Sequence, residues 1–488
     1  MTSLEKLSSW HSDWKSQKVV VYGVGISGFS VADTLNELGS ELLVVADQID
    51  AQHKDLLEVL GIQYLEGATE NEAIAAIRDF NPDFAVVSPG IKPTNFLVRW
   101  FAENSIAVIG DIELAWRVRD KVKPAEWVFI TGTNGKTTTT QLVESMLITS
   151  GKKALACGNI GTPVLDAVRD PQGWDFLVIE ISSFQLHYLN RLAPRVSALL
   201  NIAEDHIDWH GSFEEYAAAK GKVFEGTTGA IIYNGEDGKT AELARNADVA
   251  SEDVLAAAFT RAMPADLQVG FIEEFLIDRA FYGYRAAELP ELASLEDIEQ
   301  IGVVTPHLLA NVSAAAAIAR ACDVDAASIK AAIQAFKLDK HRIEFIEEFA
   351  GVKWFDDSKA TNAHAADASL KSFESVVWLV GGLLKGVEIS PLIKQNSSRL
   401  RAAVVIGKER TEIIEALGNW APQCQVIEIS DHENDTVMSR AVLAASEVAQ
   451  PGDVVLLAPA AASMDQFKDY ADRGNQFSRA VKEIANAK

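Results

Sequence analysis

Cysteine is scarce in this chain, which limits both covalent cross-linking and thiolate metal binding. The 488 residues include 3 cysteines, Cys157, Cys322 and Cys424, and no two of them form a Cys-x-x-Cys pair. Disulfide-stapled domains and thiolate zinc sites both need more closely spaced cysteines. The sequence therefore argues against both, and a reducing compartment fits. We expect a cytoplasmic protein.

Long apolar runs and an excess of basic residues are also missing. No stretch reaches the roughly 18 apolar residues of a membrane-spanning helix, and the first ten residues lack the layout of a secretory signal. The chain has 44 Lys and Arg against 69 Asp and Glu, a formal net charge of −25. Because such a chain repels polyanions, we expect no nucleic-acid partner and no membrane insertion. Any phosphorylated ligand would need locally concentrated cations.

Apolar residues are plentiful, at 48 % of the chain, and they occur as short runs that alternate with helical segments. This alternation is typical of parallel α/β sheets, and a domain usually takes about 100–200 residues. We therefore predict an α/β protein of three domains. These are a Rossmann-like domain over residues 1–111, a central P-loop ATPase-like parallel-sheet domain over 112–340, and a carboxyl-terminal Rossmann-like α/β domain over 341–488.

The most informative stretch follows the apolar run Trp127–Thr131. Its sequence, Gly132-Thr-Asn-Gly-Lys-Thr-Thr-Thr139, predicts a tight turn and a helix start, a geometry that points successive N–H groups at one anion. Lys136 would neutralise the β- and γ-phosphates of ATP, and the Thr137 hydroxyl would bind Mg²⁺. Ile130 occupies the place of the usual first glycine, so the loop is a shorter variant. The alternative is a glycine turn that only opens a helix. The predicted ATP-binding residues are Gly132, Thr133, Asn134, Gly135, Lys136, Thr137, Thr138 and Thr139.

A second glycine-rich turn lies near the amino terminus. The apolar run from Lys18 leads into Gly23-x-Gly25-x-x-Gly28, and a second predicted strand ends at Asp47. This is a Rossmann-like pattern, with an acidic residue about 20 positions on. The turn can bind a dinucleotide or another nucleotide-bearing ligand, or it can be a scaffold element, and the residues alone leave these alternatives open.

Polar side chains follow further predicted strands. Glu180 lies near the end of the strand predicted over residues 174–182, and His206 follows the apolar run 196–200. Since α/β enzymes bind ligands at the carboxyl ends of strands, Thr137 and Glu180 would bind one Mg²⁺ and His206 a second. The alternatives are a capping or salt-bridge role for Glu180 and a hydrogen-bonded loop role for His206. Further along, His307 and Asn311 are expected ahead of an Ala-rich helix.

The third domain carries its own polar segments. Asp356-Asp-Ser-Lys-Ala-Thr-Asn362 follows a short strand, and together with Arg342 it would bring a cation and a carboxylate to the nucleotide. Lys385 and the segment Ser463–Tyr470 follow other predicted strands and would bind an anionic substrate that carries an amine. For Lys385 the alternative is an exposed surface lysine.

Taken together and in this order, these motifs resemble those of the Mur ligases, the ATP-dependent amide-forming enzymes of peptidoglycan precursor synthesis. They are most similar to the branch of the family that joins D-glutamate to UDP-N-acetylmuramoyl-L-alanine. The resemblance implies that ATP phosphorylates the alanyl carboxylate and that the D-glutamate amine attacks the acyl phosphate. The segments that carry it are Gly132–Thr138, Gly158–Gly161, Glu180–Gln185, Glu204–Asp208, Asp357–Asn362 and Ser463–Phe467.

The resemblance also implies individual roles. The catalytic residues would be Lys136, Glu180, His206 and Lys220, and Mg²⁺ would be bound by Thr137, Glu180, His206 and Lys220. Lys220 would carry a carbamate; taken alone it is a helical lysine expected on the surface. ATP would also contact Asn311, Arg342, Asp357 and Lys359. The UDP substrate would contact Gly25, Ile26, Ser27, Asp47, Ser88, Asn159 and His206. D-glutamate would contact Thr361, Lys385, Ser463, Met464 and Tyr470. We expect a monomer.

The sequence departs from the family pattern at a few positions. Leu308 stands where an ATP-contacting asparagine is familiar, Leu383 where an acidic residue often precedes the lysine, and Gln48-Ile49 where Thr-Arg can follow the aspartate. Rival functions remain open: a ligase of the same family with another amino acid or folate as substrate, an NAD-dependent oxidoreductase, and a nucleotide-dependent switch without synthesis.

Overall fold

A computed structural model of the chain describes residues 3–190, 192–281, 289–384, 386–430 and 437–487. They form two compact units. The first comprises residues 1–202, 214–295 and 311–333, and the second comprises 203–213, 296–310 and 334–488. Within the described ranges, no helix has both the length and the apolarity needed to cross a bilayer.

The first sheet lies in the first unit and is 5-stranded and parallel. Its order is β3-β2-β1-β4-β5, which places β1, and the glycine turn after it, at the centre of the sheet. The strands are β1 (Lys18–Tyr22), β2 (Glu41–Ala46), β3 (Gln63–Glu66), β4 (Phe84–Val87) and β5 (Ala107–Ile109). The helices are α1 (Ile26–Glu37), α2 (Ala51–Leu60), α3 (Glu70–Phe80), α4 (Phe96–Glu103) and α5 (Asp111–Arg117).

The second sheet is 9-stranded, in the order β14-β13-β12-β11-β10-β9-β6-β8-β7. It is parallel from β7 to β12 and antiparallel from β12 to β14. The strands are β6 (Glu126–Thr131), β7 (Ala154–Gly158), β8 (Phe176–Glu180), β9 (Val196–Leu199), β10 (Ala230–Asn234), β11 (Leu255–Phe259), β12 (Gln268–Ile272), β13 (Phe275–Asp278) and β14 (Glu291–Ser294). The helices of this part of the chain are α6 (Lys136–Thr149), α7 (Val164–Arg169), α8 (Ser183–His187), α9 (Ile207–His210), α10 (Phe213–Gly221), α11 (Gly238–Arg245), α12 (Leu295–Glu299), α13 (Pro306–Ala321) and α14 (Ala326–Ala335).

The third sheet lies in the second unit and is 6-stranded, in the order β15-β16-β20-β17-β18-β19. Among its described strands, the β15–β16 pair is antiparallel and the other pairs are parallel. The strands are β15 (Glu344–Phe349), β16 (Val352–Asp356), β17 (Val376–Gly381), β18 (Leu400–Ile406), β19 (Gln425–Glu428) and β20 (Val454–Leu457). The helices are α15 (Ala363–Lys371), α16 (Ser390–Asn396), α17 (Arg410–Trp420), α18 (Val437–Val448) and α19 (Tyr470–Ala487).

The apolar runs of the sequence form strands that are buried on both faces. In the third sheet, Trp378 of β17 packs into one core and Leu379, the next residue, into the core on the opposite face. Both faces are buried because helices cover parallel sheets on each side. In the first unit a single core includes Val19 of β1 and Phe129 of β6, so the first two sheets share one apolar interior.

The predicted α/β class with three sheets is confirmed, and the domain boundaries stay predictions. Two expectations about local structure were wrong or incomplete. His307 and Asn311 lie inside α13, not ahead of a helix. The antiparallel extension of the second sheet, β12–β14, was not predicted, because these short strands lack the long apolar runs of the central ones.

Candidate active site

The loop after β6 positions a lysine against its own main chain. Gly135 is the N-cap of α6 and has a φ of 82°, a conformation that L side chains rarely adopt. The Lys136 Nζ donates to the carbonyl oxygens of Gly132, at 2.8 Å, and Thr133, at 2.9 Å. The first N–H groups of α6 have no intrahelical partners, as in any helix. A cation and several amides are thus collected at one point, which suits a phosphate chain.

Two asparagines brace this loop from other elements. Asn201, which follows β9, accepts the Thr133 N–H at its carbonyl at 3.0 Å, and its side chain bonds the Asn134 N–H at 2.9 Å and carbonyl at 3.0 Å. Asn311 of α13 packs so closely that a Cβ added to Gly135 would lie 2.2 Å from its Oδ1. Any side chain at Gly135 would therefore displace Asn311, one of the predicted ATP contacts.

Glu180, at the end of β8, is a buried carboxylate beside the loop. It is 2 % exposed. Its Oε2 accepts from the Thr137 hydroxyl at 2.8 Å, and its Oε1 accepts from Asn159 Nδ2 at 2.8 Å. Both donors are uncharged, and burying a carboxylate without a charged partner is costly. A hydroxyl and a buried carboxylate in contact are the oxygen ligands that Mg²⁺ prefers, so these residues fit the ion.

Lys220 is buried, and the expectation of an exposed lysine from the sequence alone was wrong. Its side chain is 2 % exposed, and Nζ donates to the Gly132 carbonyl at 2.9 Å and to Thr131 Oγ1 at 3.3 Å. The same helix, α10, provides Tyr216, whose hydroxyl lies 2.8 Å from Thr133 Oγ1 and whose ring centroid is 5.1 Å from Nζ. Helix α10 therefore supports the phosphate loop with two side chains.

The glycine turn after β1 is tightly closed. Gly23 has a φ of 93°, and a Cβ on Gly28 would lie 2.0 Å from the Gly23 carbonyl. Ser88 donates its hydroxyl to the same carbonyl at 2.9 Å, and Gly25 caps α1. Such close packing of helix on strand is the role of these glycines in nucleotide-binding turns.

The other residues predicted for the UDP substrate lie around this turn. Ile26 is 73 % exposed, Ser27 is half-buried in the first turn of α1, and Asp47 is exposed just after β2. Where the sequence departs from the family pattern, the Ile49 N–H is already bonded to Glu66 Oε1 at 3.0 Å.

In the second unit, Asp357 follows β16 and is buried. It accepts from the Ser369 hydroxyl and from the Ile343 N–H, the latter at 3.3 Å. Burial raises the pKa of the Asp357 carboxyl to about 7, although the Ser369 hydrogen bond and the positive charge of Arg342 act to lower it. Desolvation therefore outweighs the favourable contacts.

Lys359 and Tyr470 lie in contact, although they were predicted to bind different ligands. The Lys359 Nζ donates to the Tyr470 hydroxyl at 3.0 Å and lies 4.4 Å from its ring centroid. The start of α19 is attached to the same loop, because the Ser358 hydroxyl donates to the Tyr470 carbonyl at 2.7 Å. Arg473, which is fully buried, donates to Ser358 Oγ at 3.0 Å and to its carbonyl at 2.9 Å. Burial lowers the pKa of Arg473 to about 10.

The remaining residues predicted for D-glutamate are placed as follows. Thr361 is half-buried, Ser463 is 4 % exposed and Met464 is 71 % exposed. Leu383 exchanges two 2.9 Å backbone hydrogen bonds with Ala462, which fixes the loop before Ser463. Lys385 lies outside the described residues.

His206 falls in the second unit. It has a φ of 54°, and its Nε2 lies 3.6 Å from Asp205 Oδ2. Its predicted metal and substrate roles stay predictions.

Family models match two parts of the chain. The Mur ligase middle domain matches residues 130–319, and the Mur ligase, glutamate ligase domain matches residues 341–461. The UDP-N-acetylmuramoylalanine–D-glutamate ligase of Leifsonia xyli subsp. xyli is 48 % identical over 98 % of this chain and 95 % of its own. The ligase of the same name from Streptomyces coelicolor is 43 % identical over 97 % and 99 %, respectively. The chain belongs to the Mur ligase family.

Solved structures show that this Mur ligase shares its fold with distant members of the family. MurF from Acinetobacter baumannii matches with a TM-score of 0.58 at 15 % identity, over 99 % of this chain and 93 % of that one. The UDP-N-acetylmuramate–alanine ligase of Thermotoga maritima matches with a TM-score of 0.54 at 16 % identity, over 97 % and 100 %.

Sequence reasoning missed several residues of this Mur ligase that support the predicted site residues within each unit. Asn201 and Tyr216 brace the phosphate loop, and Arg473 anchors the loop after β16. For Asn201 a signal existed, since a polar residue directly after a buried strand lies at the ligand-binding edge. For Arg473 there was none, because a charged residue in an amphipathic helix is expected in solvent.

Proposed function

We propose that this Mur ligase joins D-glutamate to UDP-N-acetylmuramoyl-L-alanine with hydrolysis of ATP to ADP and phosphate, in the cytoplasmic synthesis of peptidoglycan precursors. A carboxylate oxygen of the alanyl group attacks the γ-phosphorus of ATP, the bond to the β-phosphate oxygen breaks, and ADP leaves. The D-glutamate amine then attacks the acyl carbon. Phosphate leaves from the tetrahedral intermediate, and the amine loses a proton as the amide forms.

The observation that carries this proposal is the near full-length identity to enzymes named UDP-N-acetylmuramoylalanine–D-glutamate ligase. Identity of this extent covers all three sheets, including the carboxyl-terminal one where acceptor specificity is expected. We further propose a monomer with domains 1–111, 112–340 and 341–488.

Mur ligases use ATP, and the phosphate loop is the proposed site. The loop amides and Lys136 would bind the β- and γ-phosphates, since both the ammonium and the helix start already converge there. Asn311 supports this site because it packs on Gly135. From the second unit, Arg342, Asp357 and Lys359 are the proposed further contacts.

Magnesium is the proposed metal, bound by Thr137 and Glu180, with His206 and Lys220 as ligands of a second ion. When bound, it neutralises negative charge that develops on the transferred phosphoryl group. The buried contact between Glu180 and Thr137 supports the first site. Lys136, on the same loop, would hold the γ-phosphate in line with the attacking carboxylate.

Carbamylation of Lys220 is part of the proposal. An uncharged Lys220 amine would add to carbon dioxide and lose a proton, which converts a cation into an anionic oxygen ligand. Its near-complete burial and its contact with the Gly132 carbonyl support this role, because they hold the side chain at the phosphate loop. The nucleotide-sugar substrate would contact Gly25, Ile26, Ser27, Asp47, Ser88 and Asn159. D-glutamate would contact Thr361, Lys385, Ser463, Met464 and Tyr470.

An acceptor assay tests the proposal. The protein is incubated with ATP, magnesium and UDP-N-acetylmuramoyl-L-alanine, and ADP release is measured with D-glutamate, L-glutamate, L-alanine or meso-diaminopimelate. We expect release with D-glutamate alone. Release with another amino acid and not with D-glutamate would assign the protein to another branch of the family.

Two rival functions give different signals. An NAD-dependent oxidoreductase would change nicotinamide fluorescence on mixing, and we expect no change. A nucleotide switch would bind ATP without forming an amide, so formation of the D-glutamyl product in the same assay excludes it.

A further inference from the structure

Asp111 is a buried carboxylate that contacts α8, the helix after the strand that carries Glu180. It is the first residue of α5 and is 7 % exposed. Its Oδ2 accepts from Gln185 Nε2 at 3.0 Å, whereas its Oδ1 has no hydrogen-bond partner within the described ranges. The contact connects the end of the first sheet with α8, which follows the strand that carries Glu180.

The presence of a carboxylate at this position calls for an explanation. Burial raises the pKa of Asp111, while the Gln185 hydrogen bond and the nearby Ser27 hydroxyl act to lower it, so the charge is costly. Packing alone would be served by an asparagine, which could also accept one hydrogen bond. An ionised carboxylate differs in that it presents only acceptors.

That difference fixes the orientation of the Gln185 amide. With Nε2 directed at Asp111, the amide oxygen must face the other way, and Oε1 accepts from Ser182 N at 3.0 Å and from Ser182 Oγ at 3.2 Å. Ser182 Oγ accepts the Gln185 N–H in return, at 3.1 Å. This reciprocal pair is the capping box that starts α8. A flipped amide would place its NH₂ group against the Ser182 N–H and break the box.

The capping box sets the exit of the chain from the metal-binding strand. Ser182 lies two residues after Glu180. The residue between them, Ile181, is held by its N–H to the Ile130 carbonyl at 3.0 Å and by its carbonyl to Thr131 Oγ1 at 2.7 Å. Glu180 is therefore fixed from the strand side by the sheet and from the helix side by Ser182. Carboxylate ligands need to be held within about 0.5 Å of their productive position.

We propose that Asp111 is a positioning residue for the magnesium site, acting through the Gln185 amide and the Ser182 cap on Glu180. The inference rests on the proposed role of Thr137 and Glu180 as magnesium ligands. It adds a residue of α5, the helix after the last strand of the first sheet, to the groups that order the metal site.

Direct binding of Mn²⁺ tests the inference. The free-ion electron paramagnetic resonance signal is titrated in the presence of ADP, for the wild type and Asp111→Ala. Loss of an outer partner of a metal ligand typically weakens metal binding by about 10–100-fold, and we expect about tenfold here. Asp111→Asn keeps an oxygen that can accept from Gln185, so it should recover part of the affinity. An asparagine variant as weak as the alanine variant would overturn the role of this hydrogen bond.

Glu113 provides a matched control on the same helix. It is 1 % exposed, and its carboxylate bonds Arg117 and Asn190, neither of which belongs to the capping box at Ser182. Glu113→Gln should leave Mn²⁺ affinity unchanged even where thermal stability falls. If Glu113→Gln weakens Mn²⁺ binding as much as Asp111→Ala does, the effect is general destabilisation and the inference fails.

A double-mutant cycle separates action through Gln185 from any other role. Because both residues act on the same cap, Asp111→Ala combined with Gln185→Ala should bind Mn²⁺ no more weakly than Gln185→Ala alone. Additive losses would overturn the inference.

In steady state, the magnesium half-saturation should rise in Asp111→Ala while the KM for D-glutamate stays unchanged. Unchanged Mn²⁺ affinity in Glu180→Ala would instead refute the proposed metal site itself, and an effect of Glu180→Ala without one of Asp111→Ala refutes the inference alone.

Discussion

Two lysines follow buried strands of mostly parallel sheets, Lys136 after β6 and Lys359 after β16, and they are held in different ways. The Lys136 ammonium is bonded to carbonyl oxygens three and four residues away, within its own loop. The Lys359 ammonium is bonded to a hydroxyl that the chain supplies 111 residues later, from the start of α19.

The contacts of Lys136 are therefore local in sequence, whereas those of Lys359 depend on the tertiary fold. Both of these acceptors for Lys136 belong to its own loop, so this part of the geometry forms with the loop. Lys359 depends on Tyr470, and Tyr470 depends on the anchoring of α19 by Ser358 and Arg473. Substitutions distant in sequence should therefore affect Lys359 far more than Lys136.

The largest effect is expected for Lys136→Ala. Loss of the cation that we propose faces the transferred phosphoryl group should reduce kcat by about 10³-fold or more, because such charges stabilise the transition state directly. ADP release in the presence of both substrates measures it. Lys153, whose side chain is exposed beyond α6, supplies the control variant Lys153→Ala, which should be unaffected. Normal turnover in Lys136→Ala would show that Lys136 does not bind the transferred phosphoryl group, and its comparison with Lys359 would then have no functional meaning.

Lys220→Ala is expected to reduce ligation by about 10²-fold, the loss typical of a perturbed metal site. Because an alanine leaves room where the proposed carbamate would lie, short carboxylic acids such as acetate should restore part of the activity. A lysine that only supports the Gly132 carbonyl would not be replaced by an anion. Normal turnover without additives would refute the carbamate, and failure of rescue in a folded variant would favour the supporting role.

Tyr470→Phe sharpens the comparison on the side of Lys359. The substitution removes the hydroxyl acceptor of the ammonium and keeps the ring that lies 4.4 Å from it. A hydrogen bond to a charged group contributes about 1.5–3 kcal/mol, so we expect KM to rise by about tenfold or more. The KM values for D-glutamate and for ATP distinguish two roles of Tyr470. A rise in the KM for D-glutamate alone would show that Tyr470 binds the amino acid. An equal rise in the KM for ATP would show that it acts through Lys359.

The features that could be predicted from the sequence are those set by local signals, and the features that could not are those set by tertiary contacts. The strand, glycine turn and helix of residues 127–149 were predictable because each signal is local, and Glu180 because polar residues at strand ends share one edge of a parallel sheet. The burial of Lys220 was not, since Tyr216-Ala-Ala-Ala-Lys220 offers no polar face to contrast with an apolar one. The contact of Asp111 with Gln185 joins residues that are 74 positions apart, and no local sequence pattern predicts it.

The smallest effect is expected for Asp357→Asn, and it concerns stability. Since burial raises the pKa of Asp357 to about 7, against an ordinary value of 3.8, the folded protein binds a proton that the unfolded chain releases between these values. The free energy of unfolding then falls as pH rises through this window, and the full cost of the buried charge is reached above pH 7.

The amide side chain of the Asp357→Asn variant carries no such charge. The variant should melt at nearly the same temperature as the wild type at pH 4.5 and several degrees above it at pH 8, as measured by calorimetry. The hydrogen bond to Asp356 raises the pKa of the neighbouring His341, and this contact is present in both proteins. A constant difference between the two melting temperatures across this range would show that Arg342 and Ser369, not desolvation, dominate at Asp357. The loop after β16 would then hold the Asp357 charge without a net desolvation penalty.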